Sequence, residues 1–253
     1  MKKKTLLSLL PLLLFFPAQS LGQKYNLPPG ARIIETRAVP SRAYLNRALV
    51  LWMINPQSHP RDTPDEPYTC PEETRGSYYS GPLRVSLVNT RTGRIINTLK
   101  ITQEYSDGED SFDIPYRIHE GYYTINGAKA RGREGVPVIM RLRDYNGDGR
   151  AQEFALFDAL ACMGLATTLV GYSESKDRVI QYAVNLEVSE NGKRSRKTTY
   201  WPDYLFSRKP QSPGYWKYEI DYRGRAGTLD KWEIRYNRQL EAFEGSLTFI
   251  PGD

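Results

Sequence analysis

The chain has 253 residues and a formal charge of +6, with 18 tyrosines, 20 glycines, 17 prolines and 2 cysteines. Acids and bases are interspersed without a long basic stripe, which argues against nucleic-acid binding. Aromatic richness, frequent Gly and Pro punctuation and few helix-forming runs predict an all-β fold with little helix.

Lys2, Lys3 and Lys4 precede an apolar run from Leu6 to Phe16, followed by Ala18, Ser20 and Gly22. A basic start, a short apolar stretch and small residues are the layout of a secretory signal peptide, cleaved after Ser20 or Gly22. The run is too short to span a bilayer, so residues 1–22 are expected as a leader and not as a transmembrane anchor. Removing three lysines takes the formal charge from +6 to +3. Residues 23–253 are expected to form a single β-rich domain, secreted or periplasmic, with enough chain to bury a core without metal or disulfide help. The polar, glycine-rich stretch 126–135 is where two halves would divide.

Residues 23–42 hold Pro28, Pro29, Gly30 and Pro40 and read as extended. Leu49 to Ile54 is continuously apolar, which predicts a strand buried on both faces. Residues 55–82 contain six prolines with His59, Asp62, Asp65, Glu66, Glu72 and Glu73, and read as a long solvated loop. Leu83, Val85 and Leu87, then Ile95 to Ile101, predict a hairpin around Gly93. Short strands are expected at 112–116 and 122–125, with Pro115 marking an edge. Val138 to Leu142 and Phe154 to Phe157 are expected as strands leading into and out of an acidic loop. Thr168 to Tyr172 and Val179 to Val184 predict a further hairpin, while 160–165 fits either a helical turn or a strand end. After Asn191-Gly192, a hairpin turn, the alternation of Trp216, Tyr218 and Ile220, and of Trp232, Ile234 and Tyr236, with charged residues predicts antiparallel sheet with one solvated face. The expected assembly is sandwich-like or a partial propeller.

Cys70 and Cys162 are the two cysteines. An oxidising compartment allows one disulfide between them; the alternative is two separate thiols, with Cys162 buried as a small hydrophobe.

The acidic loop carries the clearest chemistry. Asp144, Asn146 and Asp148 place oxygen ligands at alternate positions and Gly149 supplies the turn, the first half of a calcium loop. An EF-hand is excluded, because Ala155 stands where a bidentate Glu belongs and the preceding segment is a poor helix. A hairpin turn built on Asn-Gly and Asp-Gly is the competing reading. Over about fifteen residues the stretch resembles the calcium loops of FG-GAP-type repeats, found in integrin α chains. The resemblance implies Ca2+ held by Asp144, Asn146, Asp148 and the Arg150 carbonyl. The last ligand would come from Gln152, from Glu153 by a shift, or from water.

Catalytic signals are sparse. His59 and His119 are far apart, no nucleophile elbow or zinc spacing occurs, and Glu72/Glu73 or Asp110/Asp113 would be the carboxylate pairs of a glycosidase. Trp216 and Tyr218 read as core, whereas Tyr200, Trp201 and Tyr204 border a proline loop and are expected to stack on a ligand such as a glycan. The sequence therefore predicts a binding or structural protein with a structural calcium loop, its partner an extracellular glycan or protein. The alternative is an extracellular hydrolase acting on glycans.

Overall fold

The computed structural model describes residues 25–59, 78–101, 111–114, 138–160, 164–225 and 227–252. The leader, the strand at 122–125, the divide at 126–135, both cysteines, His119, Glu72, Glu73 and Asp110 lie outside the described residues. The fold is all-β and sandwich-like. Among the described residues the helical elements are two 3-10 turns, Leu205–Ser207 and Arg223–Arg225. None of them is long and apolar enough to cross a membrane.

The first sheet contains β1 (Ala31–Ala38), β2 (Arg47–Ile54), β3 (Gln57–His59), β4 (Tyr78–Asn89), β5 (Ile95–Ile101) and β6 (Ser111–Ile114). Its strand order is β1-β2-β4-β3, with β5 and β6 also pairing with β4. β2 is buried on both faces, as its unbroken apolar run predicts. Leu49, Leu51 and Met53 enter the main core, while Ala48, Val50 and Trp52 pack on the opposite side with Tyr25 and Val88. The Trp52 indole donates to Ser86 Oγ at 2.9 Å, which meets the hydrogen-bonding need of both buried groups.

A three-stranded sheet, β7 (Glu153–Leu160), β8 (Gly164–Ser173) and β9 (Arg178–Gln181), lies between two cores. Phe154, Leu156, Val170 and Tyr172 point into the core of the first sheet. Ala155 and Leu169 point into the core of the C-terminal sheet. The period-2 alternation of a strand is what lets one hairpin serve both neighbours. Leu160 ends β7 and Gly164 begins β8, while residues 161–163 between them lie outside the described residues.

The C-terminal sheet runs β11-β10-β14-β13-β12, with β10 (Val184–Glu190), β11 (Lys193–Thr199), β12 (Tyr215–Asp221), β13 (Thr228–Asn237) and β14 (Ala242–Pro251). Trp216, Trp232, Ile234, Phe243 and Leu247 form its buried face. The other face carries the expected charges, with Lys217 to Glu233 at 3.5 Å and Lys231 to Glu219 at 3.2 Å. Such exposed pairs contribute little. Asn191 and Gly192 both have positive φ and close the β10–β11 hairpin, as the Asn-Gly pair predicts.

The antiparallel expectation holds for every described pairing but one, and one expected strand is corrected. The exception is β10 and β14, which pair in parallel, from Val184–Phe243 to Glu190–Phe249. β11 pairs with one edge of β10 and the last strand, β14, with the other. Val138 to Leu142 is not a strand. A register shift in β1 between Ile33 and Glu35 accompanies a different solution. The Glu35 carboxylate accepts the N–H groups of Ile139 and Met140 at 2.7 and 3.1 Å, so a side chain replaces the ladder that a strand would need. After this segment, Arg143 forms an isolated β-bridge with Glu153.

Candidate metal centre

The acidic loop leaves that bridge and returns to it. Asp144 Oδ1 accepts the N–H groups of Gly147 and Asp148 at 2.7 and 3.1 Å, and Oδ2 accepts that of Gly149 at 2.9 Å. Asn146 Oδ1 accepts from Asp148 N–H at 2.9 Å, and Asp148 Oδ1 from Arg150 N–H at 2.9 Å. The Arg150 carbonyl accepts the Gln152 N–H at 3.1 Å. Gly147 and Gly149 take φ of 77° and 86°, the left-handed values that let the backbone curl around the side chains. Each carboxylate oxygen has more than one acceptor site, so these bonds leave capacity for a cation.

Gln152 and Glu153, the two candidates for the last ligand, go different ways. The Gln152 side-chain amide donates to the Pro40 carbonyl. Glu153 is fully buried and turns back into the loop: Oε2 accepts the Tyr145 N–H at 3.0 Å and Oε1 accepts Asn146 Nδ2 at 3.1 Å. Of the two, Glu153 is the acid that joins Asn146 and the loop backbone. Burial pushes its carboxyl up to about 8, with repulsion from Asp148 and Asp144 adding to the rise and the bonds from Tyr145 and Asn146 opposing it. Among the described residues no lysine or arginine forms a salt bridge with Asp144, Asp148 or Glu153; Arg150 pairs with Glu174 instead. Ca2+ is a hard cation that takes six to eight oxygens, and this loop offers only oxygen donors.

The loop is packed against the middle and C-terminal sheets and reaches the segment that follows β1. Tyr145 stacks on Trp216 at 6.4 Å, and the Asn146 carbonyl is 2.7 Å from where a Cβ at Gly214 would lie. Glu174, which holds Arg150, also accepts Ser41 Oγ at 2.5 Å and so ties the loop to the segment after β1. A Cβ at Gly171 on β8 would come within 2.7 Å of Glu153 Cγ. Gly171 therefore makes the space in which Glu153 lies, a role that no pattern around residue 144 announces.

The aromatic trio is divided by the structure. Tyr200 is 46 % exposed and Tyr204 is partly buried, but Trp201 is 4 % exposed and belongs to the main core. The expectation that Trp201 stacks on a ligand is corrected: a core contact takes its rings. Asp113 lies on β6 and His59 on β3, in separate strands that both pair with β4. Comparison with known protein families, with curated proteins and with solved structures finds no match for this chain.

Proposed function

We propose that the loop from Asp144 to Glu153 binds Ca2+ and that the protein is a secreted or periplasmic binding or structural protein braced by that ion. One observation carries the reading: Asp144, Asp148 and the buried Glu153 lie on one short stretch with no salt-bridging base among the described residues, although the three carboxylates are not gathered there into a ready-made metal group. A cation there offsets their repulsion and the desolvation of Glu153. Because the loop touches the middle and C-terminal sheets and is tied through Glu174 to the segment after β1, the ion's effect is on the stability of the assembly. Secretion is supported by the leader-like start, and an extracellular glycan or protein is the partner class, with Tyr200 and Tyr204 the aromatic contacts.

The test is a melting curve of residues 23–253 in chelator and in 10 mM calcium. With an extracellular-type affinity of roughly 10⁻⁴ M, a hundredfold excess contributes about 2.7 kcal/mol. In a chain of this size that raises Tm by roughly 5–10 °C. Asp148→Ala is expected to remove the rise and Glu219→Ala, on the solvated face, to keep it. A wild-type curve that calcium does not move returns the loop to a hydrogen-bonded turn.

A further inference from the structure

Arg208 follows the 3-10 turn Leu205–Ser207 and is fixed through its backbone. Its N–H donates to the Leu205 carbonyl at 3.3 Å, and its carbonyl accepts Trp216 Nε1 at 3.0 Å. The guanidinium lies over the Tyr204 ring at 5.4 Å and the Tyr218 ring at 4.9 Å. Both rings are themselves held. Tyr218 donates its hydroxyl to the Asp203 carbonyl at 2.8 Å and stacks on Trp232 at 5.7 Å. Tyr204 has φ 57°, a left-handed conformation that is costly for a ring-bearing side chain and persists only where the surroundings enforce it. Here the enforcement comes from the Tyr204 N–H on the Leu165 carbonyl and from Leu205 and Phe206, both buried next to it. The strained residue is the one that sets a ring against Arg208.

The cation so positioned forms no salt bridge among the described residues, although Asp203 and Asp230 act with it on Tyr218. Its Nε is buried without an acceptor. Asp230, the buried acid on the same face of the sheet, accepts from the Thr228 hydroxyl, and burial raises its pKa. Ring faces attract and orient a guanidinium but leave its in-plane N–H fork to another partner. We propose that Arg208, held by Tyr204 and Tyr218, is the receptor for a ligand carboxylate. The two rings direct approach to the plane of the guanidinium, where a planar carboxylate makes two parallel hydrogen bonds. This deepens the binding half of the function proposed above and does not involve the ion.

The experiment uses ¹⁵N-labelled protein, residues 23–253, in chelator and at constant ionic strength. Acetate, glucuronate, glucose and inorganic phosphate are titrated while the arginine Nε–H signals are followed, with Arg208→Lys identifying the Arg208 signal. Acetate and glucuronate are expected to shift that signal saturably and glucose to leave it in place. Arg208→Lys keeps the charge but loses the fork, and is expected to bind glucuronate about tenfold more weakly with an unchanged Tm. Equal binding by Arg208→Lys, a response to phosphate alone, or no saturable shift with either carboxylate overturns the proposal. If Arg208→Lys does not fold, the wild-type titration decides, since the proposal requires one arginine signal to saturate with both carboxylates. Running every arm in chelator keeps a failure here distinct from a failure of the calcium reading.

Discussion

Gly245→Ala is expected to leave little or no folded protein. Gly245 sits in the middle of β14, opposite Ile234 of β13 and Leu186 of β10, so it has a strand on each side. A Cβ at this position would fall 1.9 Å from the Glu233 carbonyl oxygen and 2.8 Å from the Ile234 Cα. Both obstacles are backbone, and neither can rotate away as a side chain would. Relief requires β14 to move off β13, which breaks the ladder that links β13 and β12 to the rest of the sheet. It also disturbs Phe243, which contacts the rings of Phe206, Trp216, Tyr182 and Tyr236. A loss of more than about 4 kcal/mol belongs to the class of changes that disrupt backbone or core outright. Gly224→Ala is the control, because a Cβ there meets nothing within 4 Å. Soluble expression and the melting curve decide: a Gly245→Ala protein that melts like Gly224→Ala would show that the two strands have room to spare.

Gly245 also marks where sequence reasoning stops. A glycine in a strand pattern signals close backbone approach, but the pattern does not say whose backbone. Features written locally were legible. The apolar run of β2 told of burial on both faces, Asn191-Gly192 told of a hairpin, and the alternation after Tyr215 told of one dry face and one charged face. Features that depend on distant partners were not. Val138 to Leu142 looks like a strand, and only Glu35, over a hundred residues earlier, explains why it is not one. The parallel pairing of β10 and β14 joins strands more than fifty residues apart and has no local signature. Trp201 stands beside Pro202 without periodicity, so its burial could not be separated from exposure by spacing. At the acidic loop the sequence located the donors Asp144, Asn146 and Asp148. The position of Glu153 depends on Gly171 across the β7–β8 pair, and its isolation from bases depends on Arg150 choosing Glu174.

The buried Glu153 makes stability depend on pH in a direction opposite to that of a salt-bridged acid. Its carboxyl titrates near 4.5 when the chain is unfolded and is pushed up to about 8 when folded, chiefly by burial. Below the lower value both states hold the proton and the folded state carries no penalty. Between the two values the folded state holds more protons than the unfolded one, so stability falls as pH rises, and it levels off above the upper value. At about 1.4 kcal/mol per pH unit, the full loss is roughly 4–5 kcal/mol. Glu153→Gln keeps an acceptor for Tyr145 N–H without the charge, and is expected to lack this slope. Denaturant unfolding in chelator at pH 5, 6.5 and 8.5 is the measurement, read as wild type minus Glu153→Gln so that groups common to both cancel. The variant is expected to match wild type at pH 5 within about 1 kcal/mol and to exceed it by several at pH 8.5. A difference that stays constant across the range would mean that Glu153 does not change its protonation on folding. Repeating the series in millimolar calcium separates the acid from the ion. A cation in the loop favours ionised Glu153, so the wild-type slope should flatten and the advantage of Glu153→Gln at pH 8.5 should shrink or reverse.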